Sequence, residues 1–383
     1  MMQTFEAVVI RCIGEGERYA VELDRTAFFP EGGGQACDTG TLNEAQVYDV
    51  QIREGCVMHY TDRPFETGET VKGSIDWEIR FRRMQNHTGE HILSGTLHRL
   101  YGANNVGFHL GSKDVTVDTD VILTRDQLAA AEFEANLAVA KNLPVIAFKP
   151  DSEKAQHIAY RSKKEIDHDL RLVQIEGVDC CACCAPHVPF TGSVGVIKIL
   201  DAIHYKGGMR LHILCGLDAV AYWEIMYRDH AAAATSMSVK QLDVTDAVSR
   251  ILKERADLEI ALREEKRRRA RAAADRIGKD ERRACLHIED ADMDELREAA
   301  LHLSARQDGV FIVWSEKEED LAFAGASRDC DMRIAANELR RNWQGRCGGS
   351  GRLIQGTCRI DPQVLAEKTA DWYNDEIKCK SCE

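Results

Sequence analysis

Two matched pairs of potential metal ligands constrain this chain more than any other feature. His87 and His91 stand four apart in MQNHTGEHILSG, and far downstream Cys183 and His187 stand four apart in CCAPHVPFTGSVG. On a helix, residues i and i+4 leave from one face, so the two imidazoles of the first pair point the same way. Neutral imidazole nitrogen and thiolate sulfur suit zinc better than magnesium or calcium. Together the four groups can surround one Zn2+ ion. Such a site forces distant segments of the chain to meet. Cys180, Cys181 and Cys184 crowd the second pair; spacing favours Cys183, while ligation by Cys180 or Cys181 stays open. Four protein ligands describe a closed structural site, whereas catalysis needs an open position or an expanded shell. Spacing admits both.

The rest of the chain falls into segments of different character. From Phe5 to about Asp76, short runs such as Phe5–Cys12, Tyr19–Leu23 and Ala45–Arg53 alternate apolar and polar residues between turns. That pattern predicts a small antiparallel sheet or barrel, over residues 1–80. Asp76 is placed to cap a helix running down to Tyr101-Gly102. An alanine-rich helix after Asp126, a strand at Val145–Phe148, a helix around Ser152–Lys163, and a hairpin of Gly192–Leu200 with Arg210–Cys215 about Lys206-Gly207-Gly208 make residues 81–235 an α+β region.

Residues 236–285 read as a helical arm. Val244, Val248, Ile251, Leu258 and Leu262 mark one stripe, fit for a helical hairpin or a short coiled coil. Within it, Arg263–Arg283 carries ten basic and five acidic residues, read as a solvated helix face or as an RNA contact. Residues 286–383 alternate helix and strand: Met293–Arg306, Gly309–Trp314, Leu321–Ala326, Met332–Trp343, a glycine-rich turn GRCGGSGRLIQG, and a final helix near Pro362–Tyr373. This is a small α/β domain, and the whole fold class is α+β.

No run reaches membrane-spanning length, and the N-terminal MMQTFEAVVIRCIG lacks a signal-like basic start and apolar core. The expectation is a cytoplasmic protein with reduced thiols and no membrane contact. A net charge of −13 excludes a protein that coats nucleic acid indiscriminately, but it permits a shaped RNA ligand held by local basic patches.

One further segment invites a ligand. In DRTAFFPEGGGQ, Gly32, Gly33 and Gly34 allow close backbone approaches, with Thr26 and Gln35 flanking them. A tight barrel loop explains the glycines; a small polar ligand bonded to Thr26 and Gln35 explains the flanks as well. GGSGRLIQG at Gly348–Gly356 lacks the lysine and spacing of a phosphate-binding loop, so it reads as a structural turn.

Taken together, FFPEGGGQ, HTGEH, VGFHLG (Val106–Gly111), CCAPHVPFTGSVG and YKGGMR (Tyr205–Arg210) occur in an order that resembles the editing domain of alanyl-tRNA synthetase and its freestanding relatives, the AlaX proteins. Gly348–Gly356 resembles the glycine-rich segment of the accompanying C-terminal domain. The resemblance thus spans nearly the whole chain and points to the long AlaX type. One departure stands out: the family has two glycines and a threonine inside its CxxxH motif, where this chain has Cys184, Ala185 and Pro186. The segment before the histidine motif is too short for a class II synthetase catalytic domain, so neither aminoacylation nor ATP binding is expected.

The resemblance implies hydrolysis of the ester that joins a wrong amino acid, principally serine and secondarily glycine, to tRNA(Ala). It implies zinc held by His87, His91, Cys183 and His187, with His87, His91, Thr26 and Gln35 at the reacting centre. Gly32, Gly33, Gly34 and His109 would shape the pocket. Serine differs from alanine by one hydroxyl; a buried site that hydrogen-bonds that hydroxyl can discriminate by roughly 10⁴-fold, and Thr26 is the candidate contact. Arg80, Arg82, Arg83, Lys206, Arg210 and the basic arm are candidate tRNA contacts. The helical arm or C-terminal domain offers a surface for a homodimer. Two other readings remain: a noncatalytic zinc-stabilised tRNA-binding protein, and a hydrolase for another mischarged tRNA.

Overall fold

The computed structural model describes residues 2–111, 115–151, 158–162 and 170–380, the last six as backbone alone. The chain divides into two units, residues 1–233 and 234–383.

Alternation closes the first element of unit 1. Strands β1 (Thr4–Glu15), β2 (Arg18–Leu23), β3 (Gly40–Leu42), β4 (Ala45–Arg53), β5 (Cys56–Thr61) and β6 (Thr70–Ile75) form a closed barrel in the order β1-β2-β5-β4-β3-β6. Ala7, Val9, Val21, Val47, Val50 and Val71 fill its interior with Phe28, while Val8 and Ile10 face out. A period of two places one face of every strand inside.

Helix α1 (Trp77–Tyr101) follows directly. The Asp76 side chain caps it by accepting from the Ile79 N–H, and Gly102 ends it in the left-handed conformation. Every residue from Met84 to Leu97 is buried, among them Gln85, Asn86, His87, Thr88, Glu90, His91 and Ser94. A helix wrapped on all sides is normally apolar; this one is polar at its centre, so each polar group there requires a partner. Around it lie α2 (Arg125–Ala140), started by a Thr124–Gln127 capping box, and two antiparallel sheets. One has the order β12-β13-β8-β7: β7 (Asn105–Leu110), β8 (Val115–Thr119), β12 (Ile197–Tyr205) and β13 (Gly208–Cys215). The other has the order β11-β10-β9: β9 (Val145–Phe148), β10 (Leu172–Ile175) and β11 (Asp179–Ala182). Helix α3 (Gly216–Ser236) starts against α1, where Asp218 accepts from Arg82 and Asn86.

Two expectations for this region change. Ile158–Ser162 is not helical: Arg161 bridges to Cys181 instead, and the remainder of the expected helix, 152–157 and 163, lies outside the described residues. The hairpin strand starts at Ile197 rather than Gly192, because Thr191–Val194 forms a 3-10 turn ended by Gly195 at φ 85°.

Unit 2 opens with α4 (Val244–Ala274). Its expected stripe is solvent-facing, from Val248 and Ile251 at 43% to Leu258 at 70% exposure. The sheet that follows has the order β14-β15-β16-β18-β17, built from β14 (Arg283–His287), β15 (Val310–Lys317), β16 (Asp320–Ala326), β17 (Arg346–Gly349) and β18 (Leu353–Cys358). Helix α5 (Met293–Arg306) covers one face through Leu296, Ala299, Ala300 and Leu303. The other face receives Met332, Ala335, Ala336 and Leu339 of α6 (Met332–Asn342) and Leu365 and Trp372 of α7 (Pro362–Lys380).

The glycine-rich segment is a hairpin rather than a bare turn. A Cβ on Gly349 would meet the Leu353 carbonyl oxygen at 2.0 Å and one on Gly356 the Arg346 carbonyl oxygen at 2.2 Å, so the glycines serve strand contact. The basic stretch of α4 is in large part fastened to α5: Lys266 pairs with Asp292, Arg269 with Glu295, and Arg271 with Glu298. Intramolecular pairing, rather than solvent or RNA alone, accounts for those charges. Among the described residues no helix is long and apolar enough to cross a membrane.

The barrel is locked to α1 by a buried pair. Arg80, 8% exposed, donates from Nε to Asp38 Oδ1 at 2.8 Å and from Nη2 to the Ala27 carbonyl at 2.9 Å, and Asp38 is 1% exposed. Removing one partner strands the other charge away from water. Asp38→Asn is expected to destabilise unit 1 by about 3–5 kcal/mol, read as a lowered urea midpoint.

Candidate metal centre

Three imidazoles and one thiol converge at the middle of α1. The ligand atoms of His87, His91, Cys183 and His187 all lie within 4.8 Å of one another. Cys183 Sγ is 3.5 Å from His87 Nε2 and 3.4 Å from His187 Nε2.

Each imidazole is aimed by a bond at its other nitrogen. His87 Nδ1 is 2.8 Å from Gln35 Oε1, His91 Nδ1 is 3.1 Å from Asp179 Oδ2, and His187 Nδ1 is 3.0 Å from Thr88 Oγ1. With Nδ1–H donating outward, Nε2 is the nitrogen that faces inward, the arrangement that orients histidine ligands around a metal. The partners are themselves held: Arg161 Nε donates to Asp179 Oδ1 at 2.8 Å, and Thr88 Oγ1 also accepts from the Val188 N–H at 3.2 Å.

Protonation agrees with ligation. Burial opposes ionising the Cys183 thiol, but hydrogen bonds from His187, His87 and His91 outweigh it and hold its pKa at about 2, a thiolate. Burial lowers His187 to about 3, leaving it neutral. For His91 burial is outweighed by the Asp179 and Cys183 hydrogen bonds, which raise its pKa well above the usual histidine value. The neighbouring thiols differ: burial raises Cys180 and Cys184 and pushes Cys181 up to about 11. His91, Asp179 and Cys181 form a second group close enough to hold an ion, but a protonated Cys181 is the poorer donor. Three imidazoles about one thiolate fit zinc once His91 gives up its extra proton.

The glycine loop forms the adjoining wall. Leu110 N–H donates to the Gly34 carbonyl at 2.9 Å, stitching the barrel loop to β7. Gly34 sits at φ 81°, and a Cβ there would lie 2.8 Å from the Phe108 carbonyl oxygen; the backbone approach excludes a side chain. Phe108 in turn sets its ring 4.9 Å from that of His87. Gln35 is 1% exposed, and while its Oε1 meets His87, its Nε2 has no partner among the described residues. A buried amide donor without a protein partner is an exception, and it has room to donate to a water or a ligand. Thr26 lies apart from the four ligands in its bonding, with its Oγ1 2.8 Å from His59 Nε2.

Other expected site residues are placed elsewhere. His109 is one strand position beyond Phe108 and exposed, so its side chain leaves from the face opposite the one that meets His87. Arg210 is on that same opposite face, across from Asp118, which it grips at 2.7 and 2.8 Å. Lys206 occupies the exposed hairpin turn at φ 46°, its Nζ 5.0 Å from the Tyr205 ring centre. Arg80, Arg82 and Arg83 are not free cations: they bind Asp38, Asp218 and the Cys37 carbonyl.

Several site residues escaped the sequence reading: Thr88, Asp179, Arg161, Phe108, His59 and Glu90. Glu90 is buried, accepts from Ser94 Oγ at 2.6 Å, and sets Oε2 4.0 Å from His91 Nε2. Thr88 and Glu90 lie inside HTGEH, and Asp179 opens the cysteine cluster; proximity to a ligand motif was the available signal.

The family model for class II (A) tRNA synthetases matches residues 3–79, and that for the threonyl and alanyl tRNA synthetase second additional domain matches 170–210. The chain is 26% identical over 380 residues to the alanyl-tRNA editing protein AlaX-L of Pyrococcus horikoshii, covering 95% of this chain and 94% of that protein. It is 32% identical over 370 residues to an alanine–tRNA ligase of Natronomonas pharaonis, covering 90% of this chain but 39% of the ligase. It is 32% identical over 240 residues to the alanyl-tRNA editing protein Aarsd1 of Mus musculus, covering 61% and 58%.

Zinc binding should release a proton, because His91 is held protonated before the metal enters. Its raised pKa means affinity should climb as the pH rises and fall in acid. Titration calorimetry in buffers of different ionisation enthalpy reads the proton. Cys183→Ala should lose the metal by elemental analysis, and Cys181→Ala should keep it.

Proposed function

We propose that this chain, AlaX-L-like along nearly its whole length, is a trans-editing hydrolase that removes serine, and secondarily glycine, from mischarged tRNA(Ala). The buried, unpartnered amide of Gln35 beside His87 carries the reading. A purely structural zinc site gains nothing from an unsatisfied donor, which costs about 1–3 kcal/mol.

The aminoacyl ester is already activated, so the protein's work is to position it and to stabilise developing charge. His87, His91, Cys183 and His187 would hold zinc, which when bound supplies a Lewis-acid centre next to the ester. Gln35 Nε2 donates to the ester carbonyl oxygen as negative charge builds there; its Oε1 is fixed on His87, so the amide is oriented before substrate arrives. The Gly32, Gly33 and Gly34 backbone admits the 3′ end closely. Thr26 Oγ1 contacts the serine side chain. Lys206, exposed at its hairpin turn beside the Tyr205 ring, is the residue of the expected pair without a carboxylate partner among the described residues and would meet a phosphate, whereas Arg210 is already engaged by Asp118. His109, facing away, contributes through the β7 scaffold.

One family model is shared with threonyl-tRNA synthetases, so the decisive assay compares esters on both tRNAs. Deacylation of Ser-tRNA(Ala) should exceed that of Ala-tRNA(Ala) and Ser-tRNA(Thr). His91→Ala should abolish it, and Gln35→Ala should lower kcat about 10²-fold, the scale of losing one such donor. Tight tRNA binding with no hydrolysis in zinc-replete protein would replace this reading with a noncatalytic one.

A further inference from the structure

A second histidine, outside the metal cluster, is joined to the proposed selectivity residue. His59 of β5 is fully buried in the barrel wall, its ring edge-on to Phe28 with centroids 5.5 Å apart. Its Nδ1 is 3.0 Å from the Val21 carbonyl oxygen and its Nε2 is 2.8 Å from Thr26 Oγ1. A carbonyl only accepts, so Nδ1 carries the proton and donates. Burial lowers the His59 pKa to about 4, so the ring is neutral and Nε2 is a bare lone pair. Thr26 must therefore donate its hydroxyl proton to His59. The Phe28 N–H, at 3.0 Å, occupies one acceptor position on Thr26 Oγ1.

A hydroxyl normally rotates and serves as donor or acceptor alike. Here the donor is engaged, and what remains on Oγ1 is one acceptor position. We infer that His59 is a positioning residue which fixes Thr26 Oγ1 as a hydrogen-bond acceptor, so that the Thr26 site takes a side chain presenting an O–H donor and offers nothing to a methyl group. The substrate class is a β-hydroxy aminoacyl ester. This inference rests on the proposed trans-editing function. It adds how the chemical sense of the selecting bond is set, by a group that need not touch substrate.

The tautomer is readable without substrate. Two-bond 15N–1H correlation spectra of the folded protein should find His59 protonated at Nδ1 alone. A proton at Nε2 would overturn the inference, since Thr26 would then accept from His59 and turn its own proton toward the pocket. The second measurement is the ratio of kcat/KM for seryl to glycyl ester on the same tRNA. His59→Phe keeps the ring and removes the acceptor; the ratio should fall about tenfold, the worth of one neutral hydrogen bond. His59→Gln, which returns an acceptor at similar reach, should restore much of it. Rates for both esters falling together with an unchanged ratio would mark His59 as merely structural and overturn the inference. Wild-type protein inactive on both esters would instead defeat the trans-editing reading, and the inference with it, while the tautomer remained as found.

Discussion

The outward hydrogen bonds of three imidazoles are the constraint on which unit 1 depends. A helix buried from Met84 to Leu97 with polar residues at its centre is unfavourable until each is satisfied. Gln35 comes from the barrel loop, Asp179 from β11, and Thr88 from α1 itself. Each partner fixes an Nδ1 and thereby turns an Nε2 toward Cys183. The first two bonds dock the barrel loop and the small sheet onto the helix and the third docks the His187 segment, so the contacts that hold the fold also set the ligands.

The barrel loop has a double attachment. On one side Arg80 grips Asp38 and the Ala27 carbonyl; on the other the Gly34 carbonyl accepts from Leu110. Between these anchors the backbone of Gly32–Gly34 is held against β7 with no side chains to intervene. Gln35 is thus placed by backbone geometry rather than by packing of its own side chain, which explains how a buried amide can keep its Nε2 unpaired.

Local signals in the sequence carried far, and non-local ones did not. Asp76 as a cap, Gly102 as a stop, and Met293–Arg306 as a helix all follow from rules that operate within a few residues. The paired HxxxH and CxxxH spacings identified the cluster because each pair is local, even though the two are far apart. Nothing local announced that Arg80, Arg82 and Arg83 would each find an internal partner, or that His59 would reach Thr26 across the barrel. The Leu258 stripe of α4 had the right period for a packed seam, yet period fixes which residues share a face, not whether that face is covered. The GRCGGSGRLIQG segment misled for a related reason: glycine marks a turn and a close strand contact alike.

Cys184, Ala185 and Pro186 fill the CxxxH spacing between Cys183 and His187, and the geometry of this segment bears on the centre. Cys184 is exposed, and its Sγ would lie 3.4 Å from a Cβ built on Gly33, so this thiol faces the glycine loop. Burial of part of its surroundings keeps it protonated, unlike Cys183. Arg171 braces the segment, donating to the Cys183 carbonyl at 2.7 Å and the Ala185 carbonyl at 3.0 Å, while Ala185 is fully buried. Cys184 therefore adds a neutral thiol to the wall of the loop, beside one thiolate among three imidazoles. A second thiolate would make the centre more closed and more electron-rich, as in structural zinc sites. The set on this chain is one thiolate among three imidazoles, with the Gln35 amide and the Cys184 thiol in the wall beside them.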